Sequence, residues 1–125
     1  MENSKSLPDE AAAFVYGGGT VDLGAGTISY VDGTRGQLLA QELALLRYLC
    51  LNEGRLTTRE EILQHVWRLQ TGNLETRTVD MHVSKLRRKL KLLPENTLLQ
   101  TIRGRGYLLQ RRRQDPGPLP LRSIG

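Results

Sequence analysis

The side chains of this sequence best placed to do chemistry are cations. Lys85, Arg87, Arg88, Lys89 and Lys91 fall within one short run that contains no acid, and Arg103-Gly104-Arg105-Gly106 follows soon after. Such groups make and break no bonds; they neutralise a polyanion, and packed this closely they repel one another unless an anion is near. A solvated basic helix face is the competing reading. The two histidines, His65 and His82, lack the convergent Cys, His, Asp or Glu partners that a metal or catalytic site needs. His65 reads as a solvent-edge residue, and His82 as a phosphate donor at the margin of the basic run. Asp80, the lone acid there, is expected to pair with Arg77 or a neighbouring element. No nucleophile–base pair or carboxylate dyad is visible, so neither an enzyme, a cofactor nor a metal is expected.

The distribution of charge sharpens this. The chain has 125 residues and a net charge of +5, but residues 1–75 carry six Lys/Arg against ten Asp/Glu, whereas residues 76–113 carry eleven against two. A cationic half points to a polyanionic partner, of which nucleic acid is the commonest. Aromatic residues make up only 5%, too few for single-strand stacking platforms, which favours a duplex. The one cysteine, Cys50, sits in a leucine-rich helical stretch and is expected to be a buried, inert thiol. No run approaches the ~18 apolar residues of a membrane span. The acidic N-terminus does not resemble a signal peptide, and a cytoplasmic location is expected.

The cations need an element to hold them. Over Thr76–Leu90, Val79, Val83, Leu86 and Leu90 form one stripe at helical period, while Arg77, Met81, Ser84, Lys85 and Arg88 fall on the reverse side with Thr78, Arg87 and Lys89 flanking. Thr76 is the expected N-cap. Upstream, Ala40–Leu51 reads as a helix, and Thr58 and Glu61 have capping-box spacing for a second one, with Ile62, Leu63, Val66 and Trp67 on its apolar face. From Ala13 to Leu39, short runs separated by Gly17-Gly18-Gly19, Gly24-Ala25-Gly26 and Asp32-Gly33 indicate three or four antiparallel strands. Asp32-Gly33 is expected to form a tight turn with both central residues at positive φ. A phosphate cradle at the glycine triplet would need a following Lys-Ser/Thr or helix, so a turn is expected there. Leu98–Ile102 and Tyr107–Gln110 bracket the arginine pair as a cationic hairpin, and Arg111–Arg113 extend the charge. Residues 1–12 read as a disordered lead-in or linker, 13–111 as the domain, and 112–125 as a flexible tail with three prolines.

A helix, a loop, a basic helix and a cationic hairpin, in that order, make a winged helix-turn-helix. The B-DNA major groove admits one helix, and a hairpin beside it reaches the neighbouring minor groove, whose narrow A·T stretches attract arginine. The alternative is a winged helix that docks an acidic protein partner through the same face.

The run Thr76-Arg77-Thr78-Val79-Asp80-Met81-His82-Val83-Ser84-Lys85-Leu86-Arg87-Arg88-Lys89-Leu90, with Thr101-Ile102-Arg103-Gly104-Arg105-Gly106-Tyr107, closely resembles the OmpR/PhoB-type DNA-binding domain. That domain is the output module of many two-component response regulators. Thr58–Leu63 and Val66-Trp67 match the family's second helix, and the resemblance runs from about Phe14 to Leu109. It implies an α+β fold: an N-terminal four-stranded antiparallel sheet, three helices and a C-terminal β-hairpin wing. It further implies sequence-specific binding of double-stranded DNA for transcriptional regulation. Arg77, Thr78, Met81, His82, Ser84, Lys85 and Arg87 would face the groove or its phosphates, with Arg88 beside them; Thr101 would lie near a phosphate, Arg103 at the minor groove, and Arg105 would add a cation. Lys85 stands where the family often has arginine and lacks its planar fork. Ser84 is likewise shorter than the arginine often found in its place. Leu39 replaces the family's capping threonine, an expected weakening of the first helix by ~1 kcal/mol. The resemblance also implies an RNA polymerase contact through loop 68–75, for which a plain connector is the alternative, and side-by-side pairing on direct repeats. The family's receiver domain would not fit in 125 residues, so an excised output domain or a stand-alone regulator is expected.

Overall fold

The computed structural model describes residues 13–67, 76–93 and 96–111. The expected lead-in 1–12, the polymerase-contact loop 68–75 and the tail 112–125 lie outside the described residues.

Four short strands, β1 (Ala13–Tyr16), β2 (Gly19–Asp22), β3 (Thr27–Tyr30) and β4 (Arg35–Gln37), form one antiparallel sheet in sequence order. Strand alternation turns Phe14, Tyr16, Val21 and Ile28 inward, in the register Phe14↔Val21 and Val21↔Ile28. The turn at Asp32-Gly33 differs from the expectation. Gly33 alone takes positive φ, at 93°, while Gly33 N–H donates to Tyr30 and Tyr30 N–H to Thr34. That is a three-residue loop, a type I turn closed by a left-handed glycine, in which Asp32 keeps negative φ and accepts from the Thr34 N–H and hydroxyl.

Helix α1 (Ala40–Leu51) buries Leu45, Leu46 and Leu49 in the core. Leu39 supplies no capping side chain, but Glu42 Oε1 accepts from Leu39 N–H at 2.8 Å, retaining half of a capping box. Helix α2 (Arg59–Ile62) continues as a wider π-type turn over Leu63–Trp67. Its capping box is complete: Thr58 Oγ1 accepts from Glu61 N–H, and Glu61 Oε1 accepts from Thr58 N–H. Before it lies β5 (Thr57–Thr58), a two-residue strand where only an extended step at Arg55-Leu56 is legible in the sequence. It pairs with β7 (Gly106–Leu109), which in turn pairs with β6 (Leu99–Ile102), so the wing hairpin is continuous with a second sheet ordered β5-β7-β6.

Helix α3 (Thr76–Leu90) buries Val79, Val83, Leu86 and Leu90, the stripe read from its periodicity. Thr76 is its first helical residue, so the cap position falls on residue 75, outside the described residues. The other end is fully satisfied. An α-helix leaves its last four carbonyls without intrahelical partners. Here Leu92 N–H donates to Arg87 and Lys91 N–H to Arg88, a Schellman pair built on Lys91 at φ 60°. The Tyr30 hydroxyl donates to Lys89 at 2.5 Å and the Tyr16 hydroxyl to Leu90 at 2.8 Å. The N-terminal sheet thereby holds the last turn of α3 through two tyrosines.

Candidate nucleic-acid interface

The core stripe of α3 fixes which side faces out. Arg77, Met81, Ser84, Lys85 and Arg88 are all exposed, Met81 at 52%, and they lie along one ridge of the helix. Thr78 and His82 line one flank half-buried; Asp80 and Arg87 line the other. The wing turn lies beyond the Asp80 and Arg87 flank. Arg105 N–H donates to the Ile102 carbonyl at 2.8 Å, and Gly104 sits at the third turn position with φ 72°, a conformation a side chain rarely adopts. Arg103 and Arg105 are exposed on either side of that glycine, with Thr101 exposed on the strand below.

The five cations of the 85–91 run have separate tasks. Lys85 and Arg88 have no intramolecular partner among the described residues. Arg87 turns sideways: its Nη2 donates to the Leu99 carbonyl and to Thr101 Oγ1, each at 2.9 Å. Lys89 donates to the Gln37 carbonyl at 2.9 Å and lies 3.5 Å from the buried Glu42 carboxylate. Lys91 Nζ stands 4.0 Å from the Tyr30 ring centre. Repulsion within the run is thus relieved by internal partners for three of its members, leaving two on the outer ridge.

Two of the expected interface residues have partners within the fold. Arg87 and Thr101 bond each other, so Arg87 brackets the helix to the wing. His82 Nδ1 lies 2.9 Å from the Thr78 carbonyl, and its ring meets Trp67 edge-on at 4.9 Å. A carbonyl only accepts, so Nδ1 carries the proton of that contact, and the ring is held against the helix backbone and Trp67. Arg111 also leaves the basic surface, held by Glu53 through Nε at 2.9 Å and Nη2 at 2.6 Å and lying 5.4 Å from the Phe14 ring.

Arg59 and Tyr107 are absent from the sequence-derived set, yet they bind α3 to the wing. Arg59 Nε and the Tyr107 hydroxyl both donate to Asp80 Oδ1, at 2.8 and 2.5 Å. Burial, and then the adjoining carboxylate, push the Tyr107 phenol up to about 12. Burial opposes ionisation of Asp80, but the bonds from Tyr107 and Arg59 outweigh it and hold the carboxyl below its ordinary value. The signal for Tyr107 was a strand tyrosine facing inward, whose hydroxyl must find a partner once buried.

Residues 33–109 match the family described as "Transcriptional regulatory protein, C terminal", more than half of the chain. The chain belongs to that family. Within this transcriptional regulatory family, it is 43% identical over 94 residues to a probable transcriptional regulator, ycf27, of Guillardia theta, covering 74% of this chain and 37% of the relative. It is 36% identical over 91 residues to the response regulator ArlR of Staphylococcus aureus, covering 73% and 41%. Among solved structures, the response regulator DrrB of Thermotoga maritima, an OmpR/PhoB homologue, superposes with a TM-score of 0.65 at 25% identity over 79% of this chain and 44% of that one. The chain therefore spans about two fifths of the length of these relatives. The α+β winged-helix architecture and the OmpR/PhoB resemblance both hold. This is a family of transcriptional regulators, not of enzymes. Among the described residues no three His, Cys, Asp or Glu cluster as metal ligands would, and no helix is long and apolar enough to cross a membrane.

Proposed function

We propose that this domain binds double-stranded DNA in a sequence-specific way, as the output element of a two-component response regulator. The carrying observation is the ridge of Arg77, Met81, Ser84, Lys85 and Arg88, set beside the arginine-tipped turn at 103–105. A convex helix with cations and one apolar side chain fits a major groove, where base edges offer acceptors and thymine a methyl. Arg103 and Arg105 suit the adjacent minor groove, whose potential deepens where it narrows. Thr78 supports the docking from its flank, and Thr101 by a hydroxyl hydrogen still free to donate. His82 contributes to shape through Trp67.

The domain is taken as 13–111. Pairing on direct repeats, a cytoplasmic setting and a polymerase contact through residues 68–75 are further parts of the same proposal. The test is selection of bound sequences from random duplexes, followed by a salt titration. A defined motif with affinity falling steeply as salt rises supports the reading. Equal affinity for every duplex, or none, favours the second reading, an acidic protein partner on the same face.

A further inference from the structure

Tyr107 is the point at which wing and α3 meet. Two guanidinium groups stand against its ring, Arg59 from α2 at 5.6 Å and Arg87 from α3 at 5.7 Å from its centre. Its hydroxyl donates to Asp80 on α3, and Arg59 bonds the same carboxylate oxygen. Arg87 meanwhile reaches the other wing strand at Leu99 and Thr101. Both strands of the hairpin are therefore tied to α3, β7 through Tyr107 and β6 through Arg87.

A wing serving only as a fringe of positive charge needs no such fixing, because phosphate attraction is weakly directional and a loose arginine hairpin satisfies it. Rigid attachment matters when two elements must enter two grooves together. The grooves wind at ~10 base pairs per turn, so moving one contact by one base pair rotates it by roughly 35° about the axis.

Resting on the DNA reading above, we propose that Tyr107, bracketed by Asp80, Arg59 and Arg87, is a positioning residue that sets the phase between major-groove and minor-groove contacts. The wild-type domain then accepts a single spacing between the bases read by α3 and the A·T segment under the wing.

The experiment uses the 125-residue chain and a duplex selected from random sequence, together with versions of that duplex in which one base pair is inserted or deleted between the two segments. Wild type should lose about tenfold or more in affinity on either shift, comparable to one lost base contact. Tyr107→Phe keeps the ring beside the arginines and loses the bond to Asp80; Arg87→Met frees β6 instead. Each should bind the unshifted duplex more weakly yet lose less than about threefold on the shift. Mere destabilisation would lower affinity for all three duplexes equally and leave the shift penalty at its wild-type value, which overturns the proposal. Wild-type indifference to the shift overturns it as well, while leaving sequence-specific binding intact. Failure of wild type to select any duplex removes the DNA reading, and the phase proposal with it.

Discussion

The Tyr16 hydroxyl donates to the Leu90 carbonyl across 74 positions of sequence, at 2.8 Å and out of solvent. That bond closes the C-terminus of the helix on which the interface is built. Burial pushes the Tyr16 phenol up to about 12, so it stays a donor throughout the working pH range. Tyr16→Phe keeps the ring and orphans a buried carbonyl, an expected loss of about 1–3 kcal/mol. Thermal unfolding should show the midpoint falling by roughly 4–8 °C for each kcal/mol. An unchanged midpoint would mean that water replaces the phenol there.

At Gly106 strand β7 runs tight against β5. A Cβ on this residue would lie 2.1 Å from the Thr57 carbonyl oxygen, with backbone atoms as its nearest neighbours. Gly106→Ala should therefore break the Thr58↔Gly106 pairing and loosen the wing, at a cost on the order of 2 kcal/mol or more. Denaturant unfolding and amide exchange at Thr57 and Thr58 measure it; protection at wild-type level would contradict the steric argument.

Lys85 and Arg87 lie two positions apart and should separate cleanly. Lys85→Ala should weaken duplex binding by ~1–3 kcal/mol and leave the unfolding midpoint in place, since the exposed side chain makes no hydrogen bond or ion pair among the described residues. Arg87→Ala should lower both, because it strips the Leu99 carbonyl and Thr101 of their partner. Paired binding and melting curves decide this, and a stable Arg87→Ala protein would show that the bracket is dispensable.

Stability should fall in acid through Glu61. Its bonds from Arg55, Tyr48 and the Thr58 backbone draw the carboxyl down from 4.5 to about 2. A group whose folded value is depressed stabilises the fold above its unfolded value and loses that contribution as pH drops through the folded one. The loss from this site should therefore run from about pH 4.5 down to about 2. Glu61→Gln should flatten that part of a urea-midpoint profile; an unchanged slope would assign the acid sensitivity to other carboxylates.

Much of the architecture was legible from local rules. Val79, Val83, Leu86 and Leu90 recur at helical period, so the exposed side of α3 followed from its buried side. Thr58 and Glu61 marked a helix start through spacing alone, and the glycine-punctuated runs marked the strands. Asp32-Gly33 shows where such rules stop: the dipeptide is compatible with several turns, and the hydrogen bonds of Tyr30 selected one of them.

The linear chain by itself determined that a cationic helix and a cationic hairpin would exist, because periodicity and charge are properties of neighbouring residues. Which cations remain available was decided only in three dimensions. Arg87, Lys89, Lys91 and Arg111 found carbonyls, carboxylates and aromatic rings brought in from distant segments, and Tyr107 found Asp80. Hydrogen bonding and cation–π contact act over a few ångströms of space, whereas the residues that make them lie up to 74 positions apart for a hydrogen bond, Tyr16 to Leu90, and 97 for a cation–π contact, Arg111 to Phe14. No local pattern records that proximity.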